Sequence, residues 1–254
     1  MKIKFFLSVV SLCAFSLGAN PFIKAGVKND PPAIRATPPA PKFSDAERQT
    51  ELARRRAEVA KRMAPNSVLI MRSAEPRNYA GDVDFMYRQE NNFYYLTNLK
   101  QGGTTYVLIK DGENTREILF LPKRDPAMET WNGRMYSNED ATRISGIKTV
   151  NDARETNAFL EAIKNRTMSS FLPTQIYLLL PNNERDRIGT AEFRRENEYG
   201  KTLTDYKVIN ARPIFNELRL VKSPYEIKLL QHAIDITTEA QMRAMATAKH
   251  VKWE

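Results

Sequence analysis

Short apolar runs that alternate with charged, helix-like stretches constrain the fold of this chain more tightly than any other feature. Ser67-Val68-Leu69-Ile70-Met71-Arg72 and the run from Gln175 to Leu180 are apolar almost without interruption, the pattern of strands whose sheet is covered on both faces. Thr104 to Lys110 and Arg116 to Leu121 flank Asp111-Gly112, a dipeptide that favours the tight turn of a hairpin. Asp205 to Ile209 offers a last strand. Between these runs the period lengthens. Ser44 precedes Glu47 in a capping-box pattern, and Leu52, Val59 and Met63 recur at helical spacing, so a first helix is expected from Asp45 to Met63, ended by Pro65-Asn66. Asn138 to Ile144 and Asp152 to Lys164 read as further helices, the second with Phe159, Leu160 and Ile163 on one side, and the charged stretch Asn183 to Glu198 reads as a surface helix. This order predicts an α/β fold, a mixed β-sheet flanked by helices.

The first residues follow other rules. Lys2 and Lys4 precede an apolar stretch from Phe5 to Leu17, with Gly18 and Ala19 after it, which is the pattern of a signal peptide over residues 1–19 and too short to span a bilayer. The expected location is secreted or periplasmic, with no stable membrane span after signal removal. The only cysteine, Cys13, lies inside that stretch, so the mature chain would have neither disulfide nor thiol chemistry. Residues 20–43 carry Pro31, Pro32, Pro38, Pro39 and Pro41 and read as a Pro-rich linker. The formal charge of +9 becomes +7 without Lys2 and Lys4, leaving 37 basic against 30 acidic residues. Opposite charges interleave along the helices, as where Arg54-Arg55-Arg56 lies between Glu51 and Glu58, so no nucleic-acid partner is expected.

Candidate chemistry is sparse. Metal-assisted hydrolysis needs several Asp, Glu or His side chains converging on an open coordination position, yet His232 and His250 stand apart with no HExxH spacing, and Asp82 and Asp84 lack supporting ligands. Gly102-Gly103 leads into a strand without a lysine and reads as a turn, and no Gly-x-Ser-x-Gly elbow occurs. No catalytic residue and no metal ligand is therefore assigned. In the run Phe93-Tyr94-Tyr95-Leu96, Phe93 and Leu96 read as core, whereas Tyr94, an apolar ring with a polar tip, can line a pocket or a subunit interface. Trp131 before Asn132-Gly133 reads as a buried anchor beside a tight turn, and Arg134 can pair with an acid or recognise a carboxylate. Tyr94, Trp131 and Arg134 are the candidate substrate or subunit-interface residues.

From Ala211 the pattern changes. Pro213-Ile214-Phe215 and Leu218-Arg219-Leu220-Val221-Lys222-Ser223-Pro224 lead into a long amphipathic stretch ending near Ala248, with Ser223 as cap and Pro224 in the first turn. Ile227, Leu230, Ile234, Met242 and Met245 form a stripe that reads as core. A domain over 44–212 and the start of a second over 213–254 are expected. Lys249 to Glu254 contain neither Gly nor Pro to stop the helix, which suggests a truncated second domain.

Several segments in order carry a resemblance: Pro65-Asn66-Ser67-Val68, Arg77-Asn78, Tyr87-Arg88-Gln89, the aromatic run to Thr97, Glu129 and Trp131 near Gly133-Arg134, and Leu218 to Ile227. Together they resemble the N-terminal domain of aminopeptidase P, the Xaa-Pro aminopeptidase of the creatinase/prolidase metallopeptidase family, followed by the entry to the family's pita-bread domain. The resemblance implies the non-catalytic part of an enzyme that releases the N-terminal residue from peptides with proline second. It also implies two manganese ions, held by Asp, His and Glu of the missing catalytic domain and none bound by this chain, and a homo-oligomer in which the run around Tyr94 approaches a neighbouring subunit's active site. Thr97 to Gly102 departs from the family's pattern, in which Thr-Gly, an aromatic residue and an acidic-Pro pair are usual. A stand-alone binding or assembly module, or a prolidase or creatinase relative with another substrate, are the alternatives.

Overall fold

The computed structural model describes residues 36–168, 171–181 and 190–248; the signal over 1–19, most of the linker, His250 and the end from Lys249 lie outside the described residues. Contacts divide the chain into a body of residues 40–230 and a second unit joining 1–39 with 231–254. The body opens with α1 (Asp45–Arg62), capped by Ser44, whose hydroxyl accepts from the Glu47 amide while the Glu47 carboxylate accepts from the Ser44 amide. Met63 is the C-cap. Ser44→Ala is expected to cost about 1 kcal/mol, read by urea denaturation, because it removes one arm of this reciprocal cap.

After α1 come β1 (Ser67–Arg72), a hairpin of β2 (Asn78–Ala80) and β3 (Val83–Asp84), α2 (Asn91–Thr97), β4 (Thr105–Asp111) and β5 (Asn114–Leu121). Then follow α3 (Pro126–Asn132), α4 (Asn138–Ser145), β6 (Val150–Asp152), α5 (Thr156–Lys164), β7 (Gln175–Leu178), α6 (Ala191–Thr202), β8 (Lys207–Asn210), α7 (Arg212–Leu220) and α8 (Pro224–Thr247). Six strands form one sheet in the order β6-β5-β4-β1-β7-β8. β1 pairs antiparallel with β4 and β4 with β5, while β5–β6, β1–β7 and β7–β8 are parallel. The sheet is mixed, as expected.

The two-residue period of a strand sends alternate side chains to opposite faces. Leu69 and Met71 of β1, Tyr106 and Leu108 of β4 and Tyr177 of β7 join a core with Val59, Phe93, Leu96 and Phe215 from α1, α2 and α7. Val68 and Ile70, Val107 and Ile109, and Ile176 and Leu178 join a second core with Leu160 and Ile163 of α5 and Leu203. Both faces are covered, which is why these strands are apolar throughout. The turn of the β4–β5 hairpin uses Gly112 at φ +59, and Asp111 pairs with Asn114 across it.

Three charged groups in α1 pin the helices together. Glu51 accepts hydrogen bonds from Arg54, Arg55 and the Ser223 hydroxyl, and Ser223 with Glu226 forms a reciprocal cap on α8. The Arg55 guanidinium lies 4.2 Å from the Tyr95 ring centre and donates to the Tyr95 carbonyl. Burial alone would raise the Glu51 pKa, but the hydrogen bonds from Arg54, Ser223 and Arg55 outweigh it and lower the value from 4.5 to about 2. A carboxylate depressed in the folded state contributes stability that is complete above its unfolded pKa and is lost as pH falls through its folded one. Glu51→Gln should therefore flatten the acid limb of a stability–pH curve between about pH 4.5 and about pH 2; an unchanged limb would remove Glu51 from acid unfolding.

The stretch read as a helix from Asn183 to Glu198 is helical as α6, from Ala191 to Thr202, its start fixed where the Thr190 hydroxyl accepts from the Phe193 amide; residues 182–189 lie outside the described residues. On α8 the apolar side chains of Ile227, Leu230, Ile234 and Met245 are exposed, and the start of the helix is tied to the body through Ser223, Tyr225 and Glu226. In the second unit Thr37 donates to the Glu239 carboxylate and to the Asp235 carbonyl.

Candidate functional site

The segment joining β3 to α2, Phe85 to Glu90, stands between two grooves of the body. One, of about 590 Å³, is lined by Glu75, Arg77, Arg88, Glu192, Phe193 and Arg212 beside that segment. The other, of about 630 Å³, is lined by Asp84, Lys100, Gln101, Arg134, Met135 and Tyr136. Phe85, Met86 and Tyr87 line both, so the two grooves are halves of one trough with these side chains along its middle.

Buried amides hold the segment in place. The Gln89 side chain accepts from the amides of Ala74 and Glu90 and donates to the Gln101 carbonyl. Gln101 in turn donates to the Pro122 carbonyl and accepts from the Tyr136 amide at 2.6 Å. The Tyr87 hydroxyl donates to the Ala74 carbonyl, and burial pushes its pKa up to about 12, so it remains a donor at every ordinary pH. Each buried polar atom here has a partner, which makes the backbone between the grooves a fixed wall.

Glu90 closes the segment by capping α2, its carboxylate accepting from the amides of Asn92 and Phe93 at 2.7 Å each. Burial raises its pKa, against the pull of the Phe93 amide, Arg212, the Asn92 amide and Arg219. With Phe93 and Leu96 buried as expected, Tyr94 is left on the outer side of α2 at 37% exposure. Burial of part of its ring raises the phenol pKa, and Lys100 stands 5.9 Å from its ring centre. Asn98 ends α2 in the left-handed conformation and donates to the Tyr94 carbonyl. That is a helix-end position normally given to glycine and, second, to asparagine, so the departure from Thr-Gly keeps the cap.

Of the three candidates, Arg134 lines the second groove and pairs with Asp140 at 3.4 Å. Tyr94 reaches that groove only through Lys100, which lines it. Trp131 is outside both linings and is 83% exposed, not the buried anchor its sequence context suggested. The reason is local. α3 is a seven-residue helix started by the Asp125 cap and Pro126 and ended at Gly133 with φ +80, and its inward residue is Glu129, bound to Arg124, so it has no apolar face for the indole to join. His232 is half-buried, with Nδ1 lacking a hydrogen-bond partner. No group of three or more His, Cys, Asp or Glu able to hold a metal occurs among the described residues, and no helix among them is long and apolar enough to cross a membrane. The donor set of the described residues does not fit a metal centre. What the sequence reading missed is the role of Tyr87-Arg88-Gln89 as a groove wall, because the hydrogen bonds that make it one join Gln89 to residues distant in the chain.

Comparison with known proteins agrees with this fold. Residues 52–171 match the family model described as aminopeptidase P, N-terminal domain. The Xaa-Pro aminopeptidase of Haemophilus influenzae is 30% identical over 221 residues, 84% of this chain and 45% of that protein. That of Escherichia coli is 29% identical over 72% of this chain and 41% of its own length. Among solved structures, aminopeptidase P from Escherichia coli in a low-pH form superposes with TM-score 0.65 at 25% identity, covering 81% of this chain and 45% of that one. Proline aminopeptidase P II from Yersinia pestis gives TM-score 0.61 at 28% identity, over 78% and 45%. The chain spans less than half the length of each of these relatives. Through residues 52–171, within the mixed sheet and helices described above, the chain belongs to the aminopeptidase P N-terminal domain family.

Proposed function

We propose that this chain is the non-catalytic N-terminal part of an Xaa-Pro aminopeptidase, an enzyme releasing the N-terminal residue from peptides with proline second. The observation that carries the reading is the collinear match to Xaa-Pro aminopeptidases, which continues past the family-model boundary at residue 171 to cover 84% of the chain at 30% identity. In this reading the catalytic domain, its manganese ions and the proline-containing peptide lie with residues beyond this chain, and the α/β body is a companion that positions Tyr94 at a contact with a second subunit. Tyr94 suits that task chemically, because a half-exposed phenol on a capped helix offers an apolar ring and a donor at little conformational cost. Residues 1–19 would export the protein to the periplasm or medium.

The test is an assay of this 254-residue polypeptide with manganese and an Xaa-Pro peptide, run beside the product of the same reading frame extended past Glu254. Proline-dependent hydrolysis is expected from the extended product alone. Hydrolysis by the 254-residue chain itself, or none by an extended product that carries the Asp, His and Glu ligands, would sink the proposal.

A further inference from the structure

The trough divided by Phe85 to Tyr87 is cationic where its charges are free and apolar along its middle. Its carboxylates are occupied: Glu75 is paired with Arg195, Glu90 caps α2, Glu192 accepts from the Glu75 amide, and Asp84 accepts from Asn78. Its cations are less engaged. Among the described residues the exposed side chains of Arg77 and Arg88 make no ion pair or hydrogen bond, although the charge of Arg77 helps to lower the pKa of Glu192, and Lys100 has only the Tyr94 ring. Arg134 reaches Asp140 at the long distance of 3.4 Å while remaining largely exposed. Between these charges Phe85 is exposed, with its ring edge-on to Tyr79 at 5.0 Å, and Met86 is 94% exposed. A methionine so placed on a wall fixed by the Gln89 and Gln101 side chains is an adaptable apolar contact on a hydrogen-bonded base.

We infer that the trough docks an extended peptide segment of another protein in which acidic residues alternate with apolar ones. An extended chain turns successive side chains to opposite sides, so its carboxylates can meet Arg77 and Arg88 on one half and Lys100 and Arg134 on the other while its apolar side chains rest on Phe85 and Met86. Guanidinium groups hold carboxylates bidentately, and the groove volumes of about 590 and 630 Å³ are those of sites that bury a short peptide rather than a single ion. A second copy of this chain is the weaker fit, since each copy carries a formal charge of +9. This inference does not depend on the proposed peptidase role.

The 254-residue chain is to be titrated into a fluorescein-labelled peptide of alternating glutamate and leucine and followed by anisotropy. Saturable binding is expected, weakening with added salt, with a matched lysine–leucine peptide binding about tenfold more weakly or less. The double variant Arg77→Gln, Arg88→Gln should weaken binding of the acidic peptide by about tenfold or more with its circular dichroism and melting unchanged, since both side chains are exposed and neither is in an ion pair. Met86→Asp should weaken it independently, which keeps the test open if the double variant folds poorly. Equal binding of both peptides, binding unaffected by either variant, or no saturable binding would overturn the inference. So would stoichiometric displacement by an oligodeoxythymidine, which would assign the trough to nucleic acid, or displacement by excess unlabelled chain with dimers in sedimentation, which would assign it to self-association.

Discussion

Arg56→Met is expected to lower the stability of the body by about 3–5 kcal/mol, the cost of breaking a buried ion pair from one side. The Arg56 side chain is almost fully buried and ties together four elements: it donates to Glu117 of β5 at 2.6 Å, to the Leu96 carbonyl at the end of α2, and to the Ser145 carbonyl at the end of α4. Methionine fills similar volume but leaves two carbonyls without donors and Glu117 with only the Tyr106 hydroxyl, whose own pKa burial drives well above its ordinary value. Most of the loss is therefore desolvation left uncompensated, not Coulomb attraction forgone. Two companions make the claim specific. Arg56→Lys should recover little, because an ammonium cannot reach three acceptors that a planar fork serves together. Glu117→Gln added to Arg56→Met should recover part of the loss by removing the stranded charge, a positive interaction in a double-mutant cycle. Urea denaturation with an unchanged slope reads all three variants. A loss under about 1 kcal/mol for Arg56→Met would mean that water replaces the guanidinium without cost.

How far the chain could be read before its structure depended on how local each signal was. β1 was legible to the residue, and α1 to within one, because a capping box, a helical period and a six-residue apolar run are all decided by neighbours in sequence. The β4–β5 hairpin was legible for the same reason, its turn marked by Gly112, although Asp111 itself belongs to the ladder opposite Asn114. β6 was not, since three residues, Val150 to Asp152, carry no period and become a strand only by pairing with Leu119 to Leu121. The end of α6 at Thr202, past the expected Glu198, was not legible because its charge pattern offers no apolar face. Its inward residue is Glu196, held by Arg72 across the sheet, a pairing between residues far apart in the chain. Trp131 misled because aromatic residues are usually buried, and only the lack of any apolar partner on α3 exposes it. The trough was invisible for a related reason. Its walls come from residues 74–91, 100–102, 133–136 and 190–212, and what makes Tyr87-Arg88-Gln89 a wall is the Gln89–Gln101–Tyr136 chain of half-buried hydrogen bonds.

Phe215→Ala should cost about 3–5 kcal/mol, the usual range for deleting a fully buried phenyl ring, although the sequence pattern assigns Phe215 to the start of a following domain. α7 is amphipathic, and Phe215 is completely buried in the same core as Leu69, Leu96 and Tyr177, with Ile214 and Leu218 packed at its edge. Arg212 at its start donates to the Leu180 carbonyl beyond β7, and Arg219 at its end donates to the Asn92 side chain of α2. Both ends of α7 are thus anchored on elements of the sheet body, and the helix completes the core on that face. Leu220→Ala, one residue from that anchor, should change stability by less than about 0.5 kcal/mol because Leu220 is exposed. The contrast decides where the body ends. If α7 belonged to a separate following domain, the two substitutions would be equally mild in this chain. A large effect at Phe215 and none at Leu220 makes α7 a structural member of the N-terminal body.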